Sequence, residues 1–186
     1  MRIIVTGSLG NISKPLTEKL VQKGHSVTVI SSNEDRRASI ESIGAKAAIG
    51  SMEDVDFLTA TFTGADALYL MEAHGQSAFF DHKINVIKLV ADIANAYKQA
   101  VDASGVKKVI HLSSIGAHHD KDNGVLIYHY NAEQSLQKLP DDVKIKTMRP
   151  VGFYTNMLGF IQAIKSYGTI SSNFGGDKKR PLGFAA

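Results

Sequence analysis

The sequence contains no cysteine among its 186 residues. Disulfide bonds, thiolate metal sites and cysteine nucleophiles are therefore excluded. It also has no apolar run of about 18 residues, the length that a membrane-spanning helix needs. The first apolar run begins at Ile3 and leads directly into a glycine motif, which is not the pattern of a secretory signal. We therefore expect a cytoplasmic protein with no membrane partner.

An excess of charge of one sign is also absent. The net charge is +3, and the basic residues are scattered except for Lys178, Lys179 and Arg180. So short a cluster is typical of a solvated loop, and we predict no direct contact with nucleic acid. Hydrophobic residues make up 44% of the chain, enough to build the core of one domain.

A glycine turn near the N-terminus is the most informative feature that is present. An apolar strand leads into Gly7 and Gly10, and an amphipathic helix follows. This order is the one that a dinucleotide-binding βαβ unit requires, because the glycines let the backbone approach a pyrophosphate and the helix start attracts it. Ser13 stands where a third glycine is usual. An ordinary strand–helix turn is the alternative. The predicted cofactor contacts here are Thr6, Gly7, Leu9, Gly10, Asn11 and Ile12.

The rest of the chain alternates between helices and short apolar strands. Glycines at 24, 44 and 105 each separate a predicted helix from the strand that follows it. The predicted strands are residues 3–5, 27–30, 47–49, 67–71, 109–112 and 145–148, and the predicted helices are residues 12–23, 34–43, 53–61, 79–104, 125–138 and 155–166. The pattern indicates an α/β fold: a Rossmann-like, doubly wound parallel sheet with helices on both faces.

Five segments, taken together, resemble the NmrA-like branch of the atypical short-chain dehydrogenases. They are VTGSLGNI at 5–12, GADALYLM at 64–71, VKKVIHLSSIGA at 106–117, HYNAEQSL at 129–136 and MRPVGFYTNM at 148–157. The resemblance implies an NAD(P)-binding Rossmann domain over residues 1–150. It also implies that residues 151–186 begin a small C-terminal substrate lobe, which looks truncated beside family members. Such members include NAD(P)H-dependent quinone reductases and regulators that bind the cofactor without turnover.

The end of the second predicted strand bears on the choice of cofactor. NAD-preferring sites usually place a carboxylate there, to bind the ribose 2′-hydroxyl. This chain has Ser31, Ser32 and Asn33 instead, followed by Arg36 and Arg37, which can pair with a 2′-phosphate. We therefore predict NADP, with NAD as the alternative, and an exposed helix start as the other explanation of the arginines. Further contacts are predicted at Met71, Glu72 and Ala73, which end the fourth strand.

The candidate catalytic residues follow from a motif that this sequence lacks. Conventional short-chain dehydrogenases use a Tyr-x-x-x-Lys motif, and here the tyrosine position is Val125 and the lysine position is His129. The resemblance therefore favours quinone-reductase members, since a quinone that accepts hydride can take its protons from water. We predict roles for His129, in binding the ribose or a substrate oxygen, and for Ser114, in binding a substrate carbonyl. Each also has an ordinary structural explanation.

The remaining predictions concern the acceptor and partners. Phe153 and Tyr154 are expected to line a flat apolar pocket, with plain core packing as the alternative. His118, His119 and Asp120 are expected to be a solvated loop, and no metal is predicted. The expected partner is a small quinone or similar carbonyl compound. The sequence leaves open whether the protein is an oxidoreductase or an NADP-binding sensor without turnover. The oligomeric state is also open, a homodimer included.

Overall fold

Six strands form one parallel sheet in the order β3-β2-β1-β4-β5-β6. The computed structural model describes residues 1–72, 81, 83–170 and the backbone of 182–183. This strand order is that of a doubly wound Rossmann-like sheet, because the chain moves outward in one direction from β1 and returns to extend the other side through β4. The predicted fold class is confirmed. The strands are β1 Arg2–Val5, β2 Ser26–Ser31, β3 Lys46–Ile49, β4 Ala67–Leu70, β5 Lys108–Leu112 and β6 Lys144–Met148.

In the part of the chain that the structure describes, six α-helices connect or follow these strands. They are α1 Ser13–Gln22, α2 Arg37–Ser42, α3 Val55–Phe62, α4 Val86–Ser104, α5 Ile127–Leu136 and α6 Ile161–Tyr167. Short 3-10 helices precede α2, α5 and α6, and they are Glu34–Arg36, Gly124–Leu126 and Tyr154–Phe160. Outside the main sheet, two short strands pair in parallel, β7 Gly152–Phe153 with β8 Leu182–Gly183. Within the described part of the chain, no helix is long and apolar enough to cross a membrane.

The sheet is covered by helices on both faces, as predicted. Alternate residues of a strand point to opposite faces, and the two apolar clusters follow that alternation. One cluster contains the β1 and β2 residues Ile3, Val5, Val27 and Val29 with Leu16 and Leu20 of α1 and Ile40 of α2. The other contains Ile4, Leu68, Leu70 and Val109 with Leu58 and Phe62 of α3, Tyr97 of α4 and Leu136 of α5.

The helix predicted over residues 79–104 begins later than expected. The helix starts at Val86, because the side chain of Asn85 accepts a hydrogen bond from the Lys88 amide at 3.0 Å and caps it. Residues 81 and 83–85 are described and are not helical, whereas 79, 80 and 82 lie outside the described residues. Apolar spacing through Ile84 suggested an earlier start, but the Asn85 cap determines it.

Candidate functional site

The carboxyl ends of β1 and β4 lie side by side where the strand order reverses. In open α/β sheets this crevice is the usual ligand position. The β1–α1 turn opens over it, and its tight point is Gly7, with a φ of +89°. A Cβ at Gly7 would lie 2.4 Å from Sδ of Met71 and 2.8 Å from Oγ of Ser13. Glycine is therefore required at this position by both backbone conformation and space.

Buried hydroxyl groups hold the turn in place. Oγ1 of Thr6 accepts a hydrogen bond from the Met71 amide at 2.7 Å, which joins the end of β1 to the end of β4. Oγ of Ser13 donates to the Thr6 carbonyl at 2.8 Å and is fully buried. Ser13 thus packs helix against strand where a third glycine is usual. The side chain of Thr6 is also fully buried, so it shapes the crevice from beneath.

The first turn of α1 is open to an anion. Ile12 occupies its N-cap position, and no described side chain caps it or places an acid in the first turn. In contrast, Asp54 caps α3 and Asn85 caps α4. Gly10 and Asn11 are exposed beside this open start, and Leu9 packs partly against the core below. Uncapped N–H groups and the helix dipole favour a phosphate at such a position.

The end of β2 forms a hydrogen-bonded corner next to that turn. Oγ of the buried Ser31 accepts hydrogen bonds from Oγ of Ser8 at 3.1 Å and from the Asn33 amide at 3.2 Å. Ser32 is exposed, as is Arg36. Arg37 is engaged by Glu34, and its hydrogen bond lowers the pKa of that exposed carboxyl group. Of the two arginines, Arg37 therefore takes part in ion pairs, whereas Arg36 forms none among the described residues.

A cavity of about 710 Å³ adjoins the crevice, beyond the ends of β4, β5 and β6. This volume is in the range of small-molecule sites. Its wall combines apolar side chains with a few polar groups. Predicted residues that the structure brings together in this wall are Ile12, Met71, Glu72, Ser114, His129 and Phe153. Tyr154 is 46% exposed and is not part of the described wall, so its predicted substrate contact receives no support from this geometry.

A charged network lies directly under the cavity. Glu133 of α5 is buried, and it accepts hydrogen bonds from Oγ of Ser113 at 2.5 Å and from Nε of Arg149 at 2.9 Å. A second Arg149 nitrogen bonds its other oxygen. Burial raises the pKa of Glu133, but the hydrogen bonds from Arg149 and Ser113 outweigh it, so the net pKa is lowered. Ser113 therefore donates its proton inward, which leaves Ser114 as the serine available to a ligand.

A second buried pair joins the ends of β4 and β5. Nε2 of His111 lies 3.0 Å from Oε1 of Glu72, and both side chains are almost completely buried. Nδ1 of His111 has no hydrogen-bond partner within the described residues. Tyr97 and Tyr128 lie close by, and both have pKa values raised by burial first and by the Glu72 carboxylate second.

Glu72 is a predicted cofactor contact, but neither its partner His111 nor the network of Glu133 and Arg149 is predicted from the sequence. One signal was available, since the polar His111 stands among the apolar residues Val109, Ile110 and Leu112 of β5. Ala73, also a predicted contact, lies outside the described residues. His118 and His119 are exposed, and no cluster of three metal-ligating side chains occurs in the part of the chain that the structure describes.

Comparison with known proteins agrees with this geometry. Residues 7–149 match the family described as NAD(P)H-binding, and the chain belongs to that family. The expected nicotinamide-cofactor domain is thereby confirmed. The chain is similar to YhfK of Bacillus subtilis (strain 168), described as an uncharacterized sugar epimerase. The two are 26% identical over 144 residues, 75% of this chain and 65% of that protein.

Two further likenesses concern reductases. The chain is 27% identical over 118 residues to a 4-hydroxy-2-methyl-3-oxo-4-farnesyl-3,4-dihydroquinoline-1-oxide ketoreductase of Stigmatella aurantiaca, covering 61% of this chain and 34% of that protein. Among solved structures, it shares the fold of the NADPH-dependent quinone oxidoreductase QOR2 of Escherichia coli complexed with NADPH. That likeness has a TM-score of 0.72 at 20% identity and covers 89% of this chain and 54% of the other. The chain thus spans between about a third and two thirds of these proteins.

Proposed function

We propose that the protein is an NADP(H)-dependent oxidoreductase of the NmrA-like branch of atypical short-chain dehydrogenases, and that it reduces a quinone or similar carbonyl acceptor. The observation that carries the proposal is one cavity that joins the cofactor turn to a substrate-sized space. Ile12 and Met71 lie at its cofactor side, and Ser114, His129 and Phe153 form other parts of its wall. The proposal also divides the chain into a cofactor domain, residues 1–150, and the beginning of a substrate lobe, residues 151–186.

The residues of the β1–α1 turn fit a dinucleotide. Gly7–Ile12 and the uncapped start of α1 would hold the pyrophosphate, and Ser31, Ser32, Asn33 and Arg36 would surround the adenosine ribose. When bound, the reduced nicotinamide supplies the hydride. Met71 and Glu72 lie at the end of β4, on the opposite side of β1 from the β2 corner, and form part of the cavity wall.

Replacing Gly10 with leucine is expected to weaken NADPH binding strongly without unfolding the domain. A Cβ at Gly10 meets only the Gly7 carbonyl oxygen, at 3.3 Å, so a larger side chain would extend outward over the turn where the pyrophosphate lies. Overpacking of about 1–3 kcal/mol corresponds to roughly a 5- to 150-fold loss of affinity. Fluorescence titration with NADPH measures it. The matched control is Gly159→Leu, at a glycine with open space around its Cβ. Equal affinities in the two variants would contradict the site.

Arg36→Ala is expected to weaken NADPH binding about fivefold and to leave NADH binding unchanged. An exposed ion pair is worth up to about 1 kcal/mol, and only NADPH carries the 2′-phosphate that Arg36 would contact. Arg37→Ala is the control, because Glu34 already engages that side chain. Parallel titrations with both cofactors measure the effect. If the wild type binds NADH more tightly, the proposed preference for NADP is wrong.

The cavity wall supplies what a hydride transfer needs from the protein. Met71, Leu112 and Phe153 make much of the wall apolar, which lets a flat ring enter and excludes water. The Ser114 hydroxyl would bind an acceptor oxygen, and His129 would bind the ribose or a second acceptor oxygen. Positioning of the acceptor is the main contribution, because a reduced quinone takes its protons from water.

A sensor function is the second candidate, and one observation favours it. The position of the missing catalytic tyrosine is Val125, which is 48% exposed and carries no proton to transfer. An NADP-binding regulator needs the cofactor turn but not a complete catalytic set. A chain that binds NADPH tightly but oxidises none with a panel of quinones would establish this candidate over the enzyme.

Turnover decides between the two candidates. We expect the protein to oxidise NADPH in the presence of menadione. The loss of nicotinamide absorbance measures this oxidation. His129→Ala should then lower the rate or raise KM by roughly 2- to 12-fold, since one hydrogen bond contributes about 0.5–1.5 kcal/mol. An unchanged rate and KM in that variant would show that His129 does not contact cofactor or acceptor. The other residues of the cavity wall would then position the acceptor.

A further inference from the structure

Tyr128 is a polar group of the cavity that the proposed function does not use. It lies in α5, three residues after Val125, which is one helical turn beyond the position of the missing tyrosine. It forms part of the cavity wall together with Glu72 and is only 7% exposed. Its ring packs in a cluster with Val86, Val90 and Ala132, so α4 and α5 fix its position.

We propose that Tyr128 is the hydrogen-bond donor to the carbonyl oxygen of a ligand in this cavity, and that it extends the acceptors from quinones to isolated aldehydes and ketones. The second part of this proposal rests on the proposed function. In conventional short-chain dehydrogenases the donor is the tyrosine of the Tyr-x-x-x-Lys motif, whose position here is Val125. Tyr128 instead lies one turn further along the helix, and no lysine follows it four residues later.

The surroundings of Tyr128 make it a donor and not a base. Burial raises the pKa of its hydroxyl, and the nearby Glu72 carboxylate raises it further, so the hydroxyl keeps its proton at neutral pH. Glu72 is itself held by His111 at 3.0 Å. Among the described residues, the ring of His129 contacts that of Tyr128, and Tyr97 interacts with the same Glu72 carboxylate.

The proton balance explains why the acceptor class depends on Tyr128. When the carbonyl carbon of an aldehyde accepts a hydride, the π electrons of the C=O bond pass to its oxygen. The resulting alkoxide is strongly basic. The Tyr128 O–H bond breaks, an O–H bond forms on the product alcohol, and the tyrosinate then regains a proton from water. A quinone gives a stabilised aromatic anion instead, which water protonates without a donor in the wall.

Binding of benzamide to the cofactor-free protein tests the donor directly. Benzamide carries a carbonyl that accepts a hydrogen bond but is not reduced, so the result is independent of turnover. We expect Tyr128→Phe to weaken benzamide binding by roughly 2- to 12-fold, the effect of one hydrogen bond, as measured by ligand-observed NMR. Tyr130→Phe, on the same helix and outside the cavity wall, should bind as the wild type does. Equal binding by the Tyr128 variant and the wild type, or no binding by the wild type, overturns the proposal.

Turnover with two acceptors then tests the substrate class. With benzaldehyde and NADPH, Tyr128→Phe should lower kcat by at least about 100-fold, the usual size of a general-acid effect. With menadione, kcat should change by less than about threefold. Equal losses with both acceptors would overturn the inference about acceptor class. If the wild type turns over neither acceptor while benzamide binding still depends on Tyr128, the reductase function and the acceptor class fail and the donor assignment stands. Phenylalanine keeps the packed ring, and circular dichroism checks that each variant folds.

Discussion

Arg149→Met is expected to lower the free energy of unfolding by about 3–5 kcal/mol at neutral pH. Its guanidinium is the positive partner of Glu133, whose carboxylate is buried under the cavity. Removing one partner leaves an uncompensated buried charge, and that cost is larger than the net contribution of the pair. Urea unfolding followed by circular dichroism measures the change. Lys107→Met is the control, because the Lys107–Asp142 pair is 2.6 Å long but exposed and should cost less than about 1 kcal/mol.

Two further observations separate this explanation from lost packing. Adding Glu133→Gln to Arg149→Met should recover part of the stability, because a neutral amide replaces the stranded carboxylate. The pH dependence should also change. In the wild type, the pKa of Glu133 is lowered from its ordinary value of 4.5, so the ionised carboxylate stabilises the protein at pH values above 4.5. This contribution is lost as the pH falls through the lower pKa of the folded state.

In Arg149→Met, burial dominates, so the pKa of Glu133 should rise and the stranded charge should be neutralised on acidification. The stability difference between wild type and variant should therefore shrink as the pH falls toward 4.5 and below. A difference that is constant with pH, or equal losses for Arg149→Met and Lys107→Met, would contradict the role given to Glu133.

Gly7→Ala is expected to lower the free energy of unfolding by about 2–5 kcal/mol and to remove NADPH binding. The left-handed backbone at Gly7 costs an alanine about 1–2 kcal/mol, and a Cβ placed 2.4 Å from Sδ of Met71 adds an overpacking cost of about 1–3 kcal/mol. The displaced Met71 belongs to the cavity wall, so the same clash disturbs the ligand site. Urea unfolding and NADPH titration measure the two effects.

Gly24→Ala is the matched control for that variant. Gly24 also has a left-handed backbone, with a φ of +77°, but a Cβ there meets nothing within 4 Å. It should show the conformational cost alone and bind NADPH normally. Shortening the obstructing side chain, in Gly7→Ala with Met71→Ala, should relieve part of the crowding. If both alanine variants lose the same stability, the close contact with Met71 is not the reason for glycine at position 7.

The fold could be predicted because its signals are local. The glycine turn at Gly7 and Gly10 and the glycines that end helices mark where strands begin and end, and short apolar runs are typical of a sheet covered on both faces. The start of α4 was placed too early because apolar spacing continues through Ile84. There, the cap formed by Asn85 outweighs the spacing.

The buried charged groups could not be predicted in the same way. Glu72 and His111 are 39 residues apart in the chain, and they meet because β4 and β5 pair with Leu70 opposite His111. Register and side-chain direction on neighbouring strands decide such a contact. Tyr154 illustrates the same limit, since it begins a 3-10 helix and is largely exposed, while its neighbour Phe153 lines the cavity.

The central claim is that the cofactor pyrophosphate binds over the β1–α1 turn, and amide NMR spectra of the isotope-labelled chain titrated with NADPH test it most directly. We expect the largest shifts at residues 7–13, where the glycine turn meets the uncapped start of α1. Gly24 and Gly105, before the amino ends of β2 and β5, should show almost none. Saturation with NADPH that leaves residues 7–13 unshifted, or shifts centred on another part of the chain, would contradict the account.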